Sequence, residues 1–159
     1  MSDRAPDRPA PPDADELARR CAEHLAPLDA VSRDLGIETV HVGPGRATLA
    51  MTITPTMTNG HGMAHGGYLF LLADTAFAFA CNTYDEVTVA ASADIVFVRP
   101  AQAGDRLTAT AVERVRSGRS GIYDVTVRRG DDGDQPGEVI AEFRGGSRSL
   151  GRAILPTDG

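Results

Sequence analysis

YLFLLADTAFAFAC, Tyr68 to Cys81, is apolar on every side except for one carboxylate, Asp74, near its middle. Fourteen helical residues span about 21 Å, and a helix apolar all round has to be wrapped by other protein. An unpaired carboxylate inside such a segment costs several kcal/mol in order of magnitude, so its presence asks for a reason. Asp74 lies two turns in, too deep to cap the helix start. A neighbouring donor satisfying a core Asp is one account; a working acid, base or nucleophile is the other. The Gly/His-rich loop just before the run, NGHGMAHGG (Asn59 to Gly67), favours the second.

The remaining composition narrows the class. A chain of 159 residues with 42% hydrophobic content fits one domain with a substantial core. The net charge of −6 and the absence of any basic stretch argue against a nucleic-acid partner. All 16 basic residues are Arg, which excludes lysine Schiff-base chemistry and a P-loop of the usual kind. Cys21 and Cys81 read as two free thiols of a cytoplasmic protein. Met1 to Pro12 is polar and Pro-rich, unlike a signal peptide. The apolar run is too short for a membrane span and carries Asp74 at its centre.

Along the chain, residues 1–14 read as a disordered tail, 15–153 as one domain and 154–159 as a C-terminal tail. Helical spacing runs from Asp13 to Leu25 (Leu17, Cys21, Leu25), and Asp29 to Leu35 adds a turn closed by Gly36. The pattern then changes to period two. Strands are expected at Ile37–Val42 and Arg46–Thr54, joined by Gly43-Pro44-Gly45, and after the helix at Val87–Val98, Arg106–Val115, Ile122–Arg128 and Glu138–Ser147. A polar turn, GDDGD (Gly130 to Asp134), separates the last two. Two strands, one apolar helix and four strands make an α+β domain, an antiparallel sheet curled around a central helix: the hotdog arrangement. Such a sheet has an exposed edge that a second copy would cover.

Gly62, Gly66 and Gly67 allow close backbone approach to a ligand. Amides at the start of the following helix lack intrahelical acceptors and lie at its positive end, which suits a developing oxyanion. His61 and His65 have the spacing of a metal pair, but they sit in a glycine-rich loop with no third ligand, so no metal is expected. The serine-hydrolase elbow G-x-S-x-G is absent. Ser92 shares a strand face with Asp94, about 7 Å further along. Asp94 is thus a second acidic candidate, with a structural or solvent-facing role the commoner one for such a residue.

The string N-x-x-G-x-x-H-G-G-x-x-F-x-L-A-D, Asn59 to Asp74, resembles the signature of the PaaI-type hotdog thioesterases. The likeness continues through TAFAFACN (Thr75 to Asn82), ASADIVFVRPA (Ala91 to Ala101), GRSGIYDVTV (Gly118 to Val127) and AEFRGGSR (Ala141 to Arg148). It departs at Met63 and Ala64, where relatives often carry a Thr and a small residue. The resemblance implies hydrolysis of acyl-CoA thioesters, with the phenylacetate-pathway members and their ring-hydroxylated phenylacetyl-CoA substrates the nearest likeness. It implies that Asp74 activates water or attacks directly, that the Gly66 N–H polarises the thioester carbonyl, that Asn59 lies near that carbonyl and that Ser92 positions the water. His65 supports the loop or touches substrate. The site is expected at a dimer interface, in a dimer that associates further into a tetramer.

No cofactor is expected, since coenzyme A is part of the substrate. A thiolate leaves readily, so one carboxylate and one N–H dipole suffice for the chemistry. The phosphates of coenzyme A call for arginines at the mouth. Arg99 and the segment Arg116, Ser117, Gly118, Arg119 and Ser120 are the candidates, with Gly67 beside the thioester. Two alternatives stay open: a hotdog dehydratase, which would need an Asp–His pair, and a non-catalytic acyl-CoA-binding protein. An aryl pocket from Tyr68, Phe70, Phe77 and Phe79 is weighed against their being core.

Overall fold

Period-two patterning in six segments and one apolar helix produce a single antiparallel sheet closed over that helix. The structure is a computed structural model that describes residues 13–130 and 134–157. Residues 1–12 of the expected N-terminal tail, residues 158–159 at the end of the expected C-terminal tail and residues 131–133 of the polar turn lie outside the described residues. Two short helices come first: α1 (Ala14–Leu25) and α2 (Ala30–Leu35). Each is capped by an Asp. The Asp13 carboxylate accepts from Glu16 N–H at 2.7 Å and the Asp29 carboxylate from Ser32 N–H at 3.1 Å, removing unpaired amides of the first turn. Gly36, at φ 68°, ends α2 in the left-handed conformation that a Cβ disfavours.

The strands are β1 (Glu38–Gly43), β2 (Arg46–Thr52), β3 (Thr88–Phe97), β4 (Arg106–Ser117), β5 (Ser120–Arg129) and β6 (Glu138–Ser149), with the central helix α3 (Gly66–Cys81) between β2 and β3. All neighbours are antiparallel, in the order β1-β2-β4-β5-β6-β3. The α+β hotdog arrangement expected from the sequence is the one observed. The faces also follow the alternation: Ala47, Leu49 and Met51 of β2 and Tyr123, Val125 and Val127 of β5 are all buried against α3. Buried apolar area at about 25 cal/mol per Å² makes this the main source of stability. Two details differ from the sequence reading. The helix starts at Gly66, ahead of Tyr68, and Ile140 is buried although Val139 and Ala141 flank it. Arg128 pairs with Val139 and Val127 with Ala141, so Ile140 is the extra residue of a bulge.

Two features of the sheet's last-paired strand matter below. The outer edge of β3 has no neighbour among the described residues, and Val89, Val96 and Phe97 along it are 44%, 59% and 52% exposed. Just before β3, Asp85 takes φ 55°, and its Oδ1 accepts both Ile154 N–H at 3.0 Å and Leu155 N–H at 2.8 Å. The C-terminal segment is thereby tied to the α3–β3 turn. Val87 N–H donates to Arg152 O and Leu150 N–H to Val87 O, both at 2.8 Å, reinforcing that tie.

Candidate active site

The loop that leads into α3 is held by its own polar groups. Asn59 Oδ1 accepts from His61 N–H at 2.9 Å and Met63 N–H at 3.2 Å. Because both neighbours are donors, the amide oxygen must face them, and Nδ2 is turned the other way, where no described residue accepts from it. His65 is the N-cap of α3. Its Nδ1 accepts Gly67 N–H at 2.9 Å, and its carbonyl accepts Tyr68 N–H at 3.0 Å. An Nδ1 that accepts leaves the ring proton on Nε2. Ahead of both, the Gly66 N–H has no acceptor among the described residues and stands at the positive end of the helix.

Gly66 is required sterically. A Cβ there would come within 2.9 Å of the Phe97 ring, which lies against it. Phe97 is the neighbour that sequence reasoning missed. It lies 31 positions away and comes into contact only because the inward face of β3 is brought back over the helix start. Asn59, Met63, Gly66, Leu69, Phe97 and Arg99 are among the residues lining a largely apolar cleft of about 420 Å³ here.

Asp74 is half-buried. It belongs to a stripe of α3 (Gly67, Leu71, Asp74, Ala78) that the sheet of this chain leaves uncovered, while Leu72, Ala73, Ala76 and Phe77 face the core. No hydrogen bond or ion pair reaches its carboxylate among the described residues, and burial raises its carboxyl above the usual carboxylate range. Beside it, Thr75 Oγ1 is turned away, donating to Leu71 O at 2.7 Å. Gly66 and Asp74 are eight residues apart, about 12 Å along the helix axis. One chain therefore does not set both against the same carbonyl.

Ser92 lies on a different face of the sheet from the one the expected role calls for. It pairs with Gly146, between the outward-facing Arg144 and Arg148 of β6, and its Oγ lies over the bare Cα of Gly146. The core face of β6 is carried by Phe143 and Gly145, the latter pressed against the Phe77 ring. Ser92 thus projects from the sheet face opposite α3, away from Asp74. Asp94 does share that face, across from Arg144, as the two-residue spacing implied. The physical reason is a bulge at Ala91, where the register shifts, together with a pairing partner that a strand's own alternation does not reveal.

The arginine candidates separate into two places. Arg99 is at the cleft, with Nε 3.2 Å from Glu138 and Nη1 donating to Val139 O at 3.2 Å. Arg116 to Ser120 form the end of the β4–β5 hairpin, with Ser117 opposite Ser120 and Gly118 at φ 56° in the two-residue turn. Ser120 pairs with Arg148, next to the Ser149–Thr88 pair at the start of β3. This is the C-terminal end of α3, about 24 Å from Gly66 by the length of the 16-residue helix. No group of three His, Cys, Asp or Glu among the described residues is placed to hold a metal.

This geometry has known counterparts. The sequence model described as the thioesterase superfamily matches residues 61–135, from the loop before α3 to the end of β5 and beyond. The chain is 44% identical over 126 residues to the acyl-coenzyme A thioesterase PaaI of Escherichia coli K12, covering 79% of this chain and 86% of that one. The solved structure of the E. coli PaaI protein from the phenylacetic acid degradation operon superposes with a TM-score of 0.83 at 39% identity, covering 89% of this chain and 99% of that chain. A substituted form of the phenylacetic acid degradation protein PaaI of Thermus thermophilus gives 0.71 at 38% identity, covering 77% and 100%.

Proposed function

The chain belongs to the thioesterase superfamily, as an enzyme of PaaI type, and on that premise we propose that it hydrolyses acyl-CoA thioesters to the free acid and coenzyme A. The substrate class is (hydroxy)phenylacetyl-CoA or a related aryl-CoA. The observation that carries this reading is the unpaired Gly66 N–H at the positive end of α3, followed by two amides that His65 has already satisfied. A carbonyl oxygen held there gains negative charge in the transition state, which a fixed dipole in a largely apolar cleft stabilises. The free Nδ2 of Asn59 supplies a second donor at the cleft. Asp74 then activates water or attacks the carbonyl carbon itself, and the thiolate of coenzyme A leaves without a general acid.

The separation of about 12 Å between Gly66 and Asp74 supports a site built from two chains. Pairing the open β3 edges of two copies antiparallel sets their α3 stripes side by side in opposite directions. Gly67 of one copy then lies near Asp74 of the other, seven residues away on the same stripe. The same two-fold operation carries the hairpin end, with Arg116 and Arg119, from the far end of α3 to the partner's cleft, where Arg99 already sits. The exposed valines and Phe97 of β3 would be covered in this dimer, which associates further into a tetramer. Ser92, on the sheet face opposite α3, is given no role in this reading.

Two measurements test the proposal. Thiol release from a panel of aryl-, arylacetyl- and straight-chain acyl-CoAs should be fastest for the arylacetyl esters. Light scattering at micromolar concentration should find no stable monomer. Absence of thiol release from every ester would leave a non-catalytic binder, and an active monomer would exclude the two-chain site.

A further inference from the structure

Four arginines of the sheet are paired with acids. Arg144 and Arg114 both reach Asp124, Arg129 reaches Asp105 and Glu138, and Arg106 reaches Glu38. Arg116 differs. Its guanidinium carbon stands 3.6 Å from the centroid of the Tyr84 ring, and it makes no ion pair and donates no hydrogen bond among the described residues. A guanidinium lying on an aromatic face keeps its in-plane N–H groups at the edge, free for an acceptor.

The ring beneath it is itself fixed. Tyr84 OH donates to Glu113 Oε2 at 3.0 Å, and Tyr123 OH donates to the same oxygen at 2.7 Å. Glu113 N–H donates to Gly45 O at 2.8 Å, and Thr83 Oγ1, next to Tyr84, accepts Gly45 N–H at 2.9 Å. Gly45 fits because nothing larger would: a Cβ there would lie 2.7 Å from Tyr84 Oη. The turn after β1, strand β4, strand β5 and the end of α3 thus converge on one phenol ring, whose exposed face holds one arginine.

We propose that Tyr84 is a positioning residue for substrate binding, whose ring holds Arg116 flat so that its free edge meets a phosphate of coenzyme A. This rests on the reading of the hairpin arginines as phosphate contacts given above. A long side chain held in advance loses less freedom on binding, and a planar fork aimed in advance matches a phosphate bidentately. The effect belongs to KM for the nucleotide-bearing substrate and leaves the bond-breaking step alone.

The test compares a CoA thioester with the same acyl group on pantetheine, which has no nucleotide phosphates. Arg116→Ala should raise KM on the CoA ester by roughly fivefold or more, and Tyr84→Leu by a similar factor, both with kcat within about twofold. Tyr84→Phe, which keeps the ring, should match the parent. The Tyr84→Leu/Arg116→Ala double variant should be no worse than Arg116→Ala alone. None should change KM on the pantetheine ester. If Arg116→Ala leaves KM unchanged, the phosphate reading of Arg116 fails. If Arg116→Ala raises KM and a folded Tyr84→Leu does not, the role given to Tyr84 alone is overturned.

Should Tyr84→Leu fail to fold, Tyr84→Trp serves, because the chain has no other Trp. Its fluorescence should respond to adenosine 3′,5′-bisphosphate, and that response should vanish in Tyr84→Trp/Arg116→Ala. A silent signal in Tyr84→Trp, or one unaltered by removing Arg116, overturns the proposal.

Discussion

The two ends of α3 are finished in opposite ways. At the C-terminal end the side chains that close the helix, Asn82 and Thr83, are fully engaged. Asn82 Nδ2 donates to Ala78 O at 2.9 Å and Thr88 O at 2.8 Å, its Oδ1 accepts Thr88 N–H at 2.9 Å, and Thr83 Oγ1 donates to Ala80 O at 3.0 Å. At the N-terminal end, the Gly66 N–H and Asn59 Nδ2 have no partner among the described residues, and two turns on the Asp74 carboxylate has none either. Native proteins leave few polar groups unpaired, so the asymmetry within one helix separates an anchoring end from a reacting end. Cys81, at the closed end, fits this division: burial pushes its thiol up to about 12, so it holds its proton and is not a nucleophile.

Asp74→Asn is the strongest way to break the comparison. If the open side of α3 is the reacting one, kcat should fall by roughly 10² or more in a protein that remains folded. Stability should move the other way. Burial raises the native carboxyl above its unfolded value, so ionisation of Asp74 weakens the fold as pH rises from about 4 through the native value. The Asn variant should therefore melt higher than the parent at about pH 7, with the gain disappearing below about pH 4, where both forms are neutral. A folded Asn variant with near-normal kcat would end the argument for Asp74. Scanning calorimetry against pH would detect the opposite stability trend, that of a carboxylate stabilised by a partner.

Asn82→Ala acts on the closed end. Losing its three hydrogen bonds while leaving the Thr88 N–H and the Ala78 and Thr88 carbonyls behind should cost about 2 kcal/mol. That lowers the melting temperature by about 4–8 °C for a chain of this size. Turnover per folded protein should stay within about twofold, and a large kcat loss would mean that the two ends are not separable.

The smallest effect is expected at His65. His65→Ala removes the cap and should cost about 1 kcal/mol. His65→Asn, whose side-chain oxygen can take the same Gly67 N–H, should recover most of it. Thermal melts of the pair sharpen the assignment, and a kcat loss greater than about tenfold in the Asn variant would give the imidazole a direct role with the substrate.

Local pattern made some of this legible and geometry the rest. The apolar run exposed both α3 and its misfit carboxylate, because burying Asp74 is unusual in any fold. Alternation assigned Tyr123, Val125 and Val127 to the core, because side-chain direction along a strand repeats every two residues. Strand order was not readable, since β3 joins β6 across the sheet and no local signal encodes that pairing. The assignment of Ser92 failed for the same reason: alternation says that Ser92 and Asp94 share a face, and only the partner Gly146 says which face. The helix start at Gly66 was missed because glycines are poor helix formers. The His65 cap and the Phe97 ring hold them there. Tyr84 and Glu113, 29 residues apart, meet together with Tyr123, beyond any window of periodicity.

The tie at Asp85 also has a mechanical side. A pull on the C-terminal segment loads the hydrogen bonds from Ile154 and Leu155 to the Asp85 carboxylate before it reaches the β3–β6 ladder. Force entering there passes into the turn between α3 and β3, where a residue in a conformation rare for a side chain is kept by those same bonds. A chain cut back to residue 152 would leave Asp85 in that conformation without its reward. The β3 strand would then be held at its start by Asn82, by Glu86 and by the Val87 bonds to Leu150 and Arg152, next to the edge that remains to be covered.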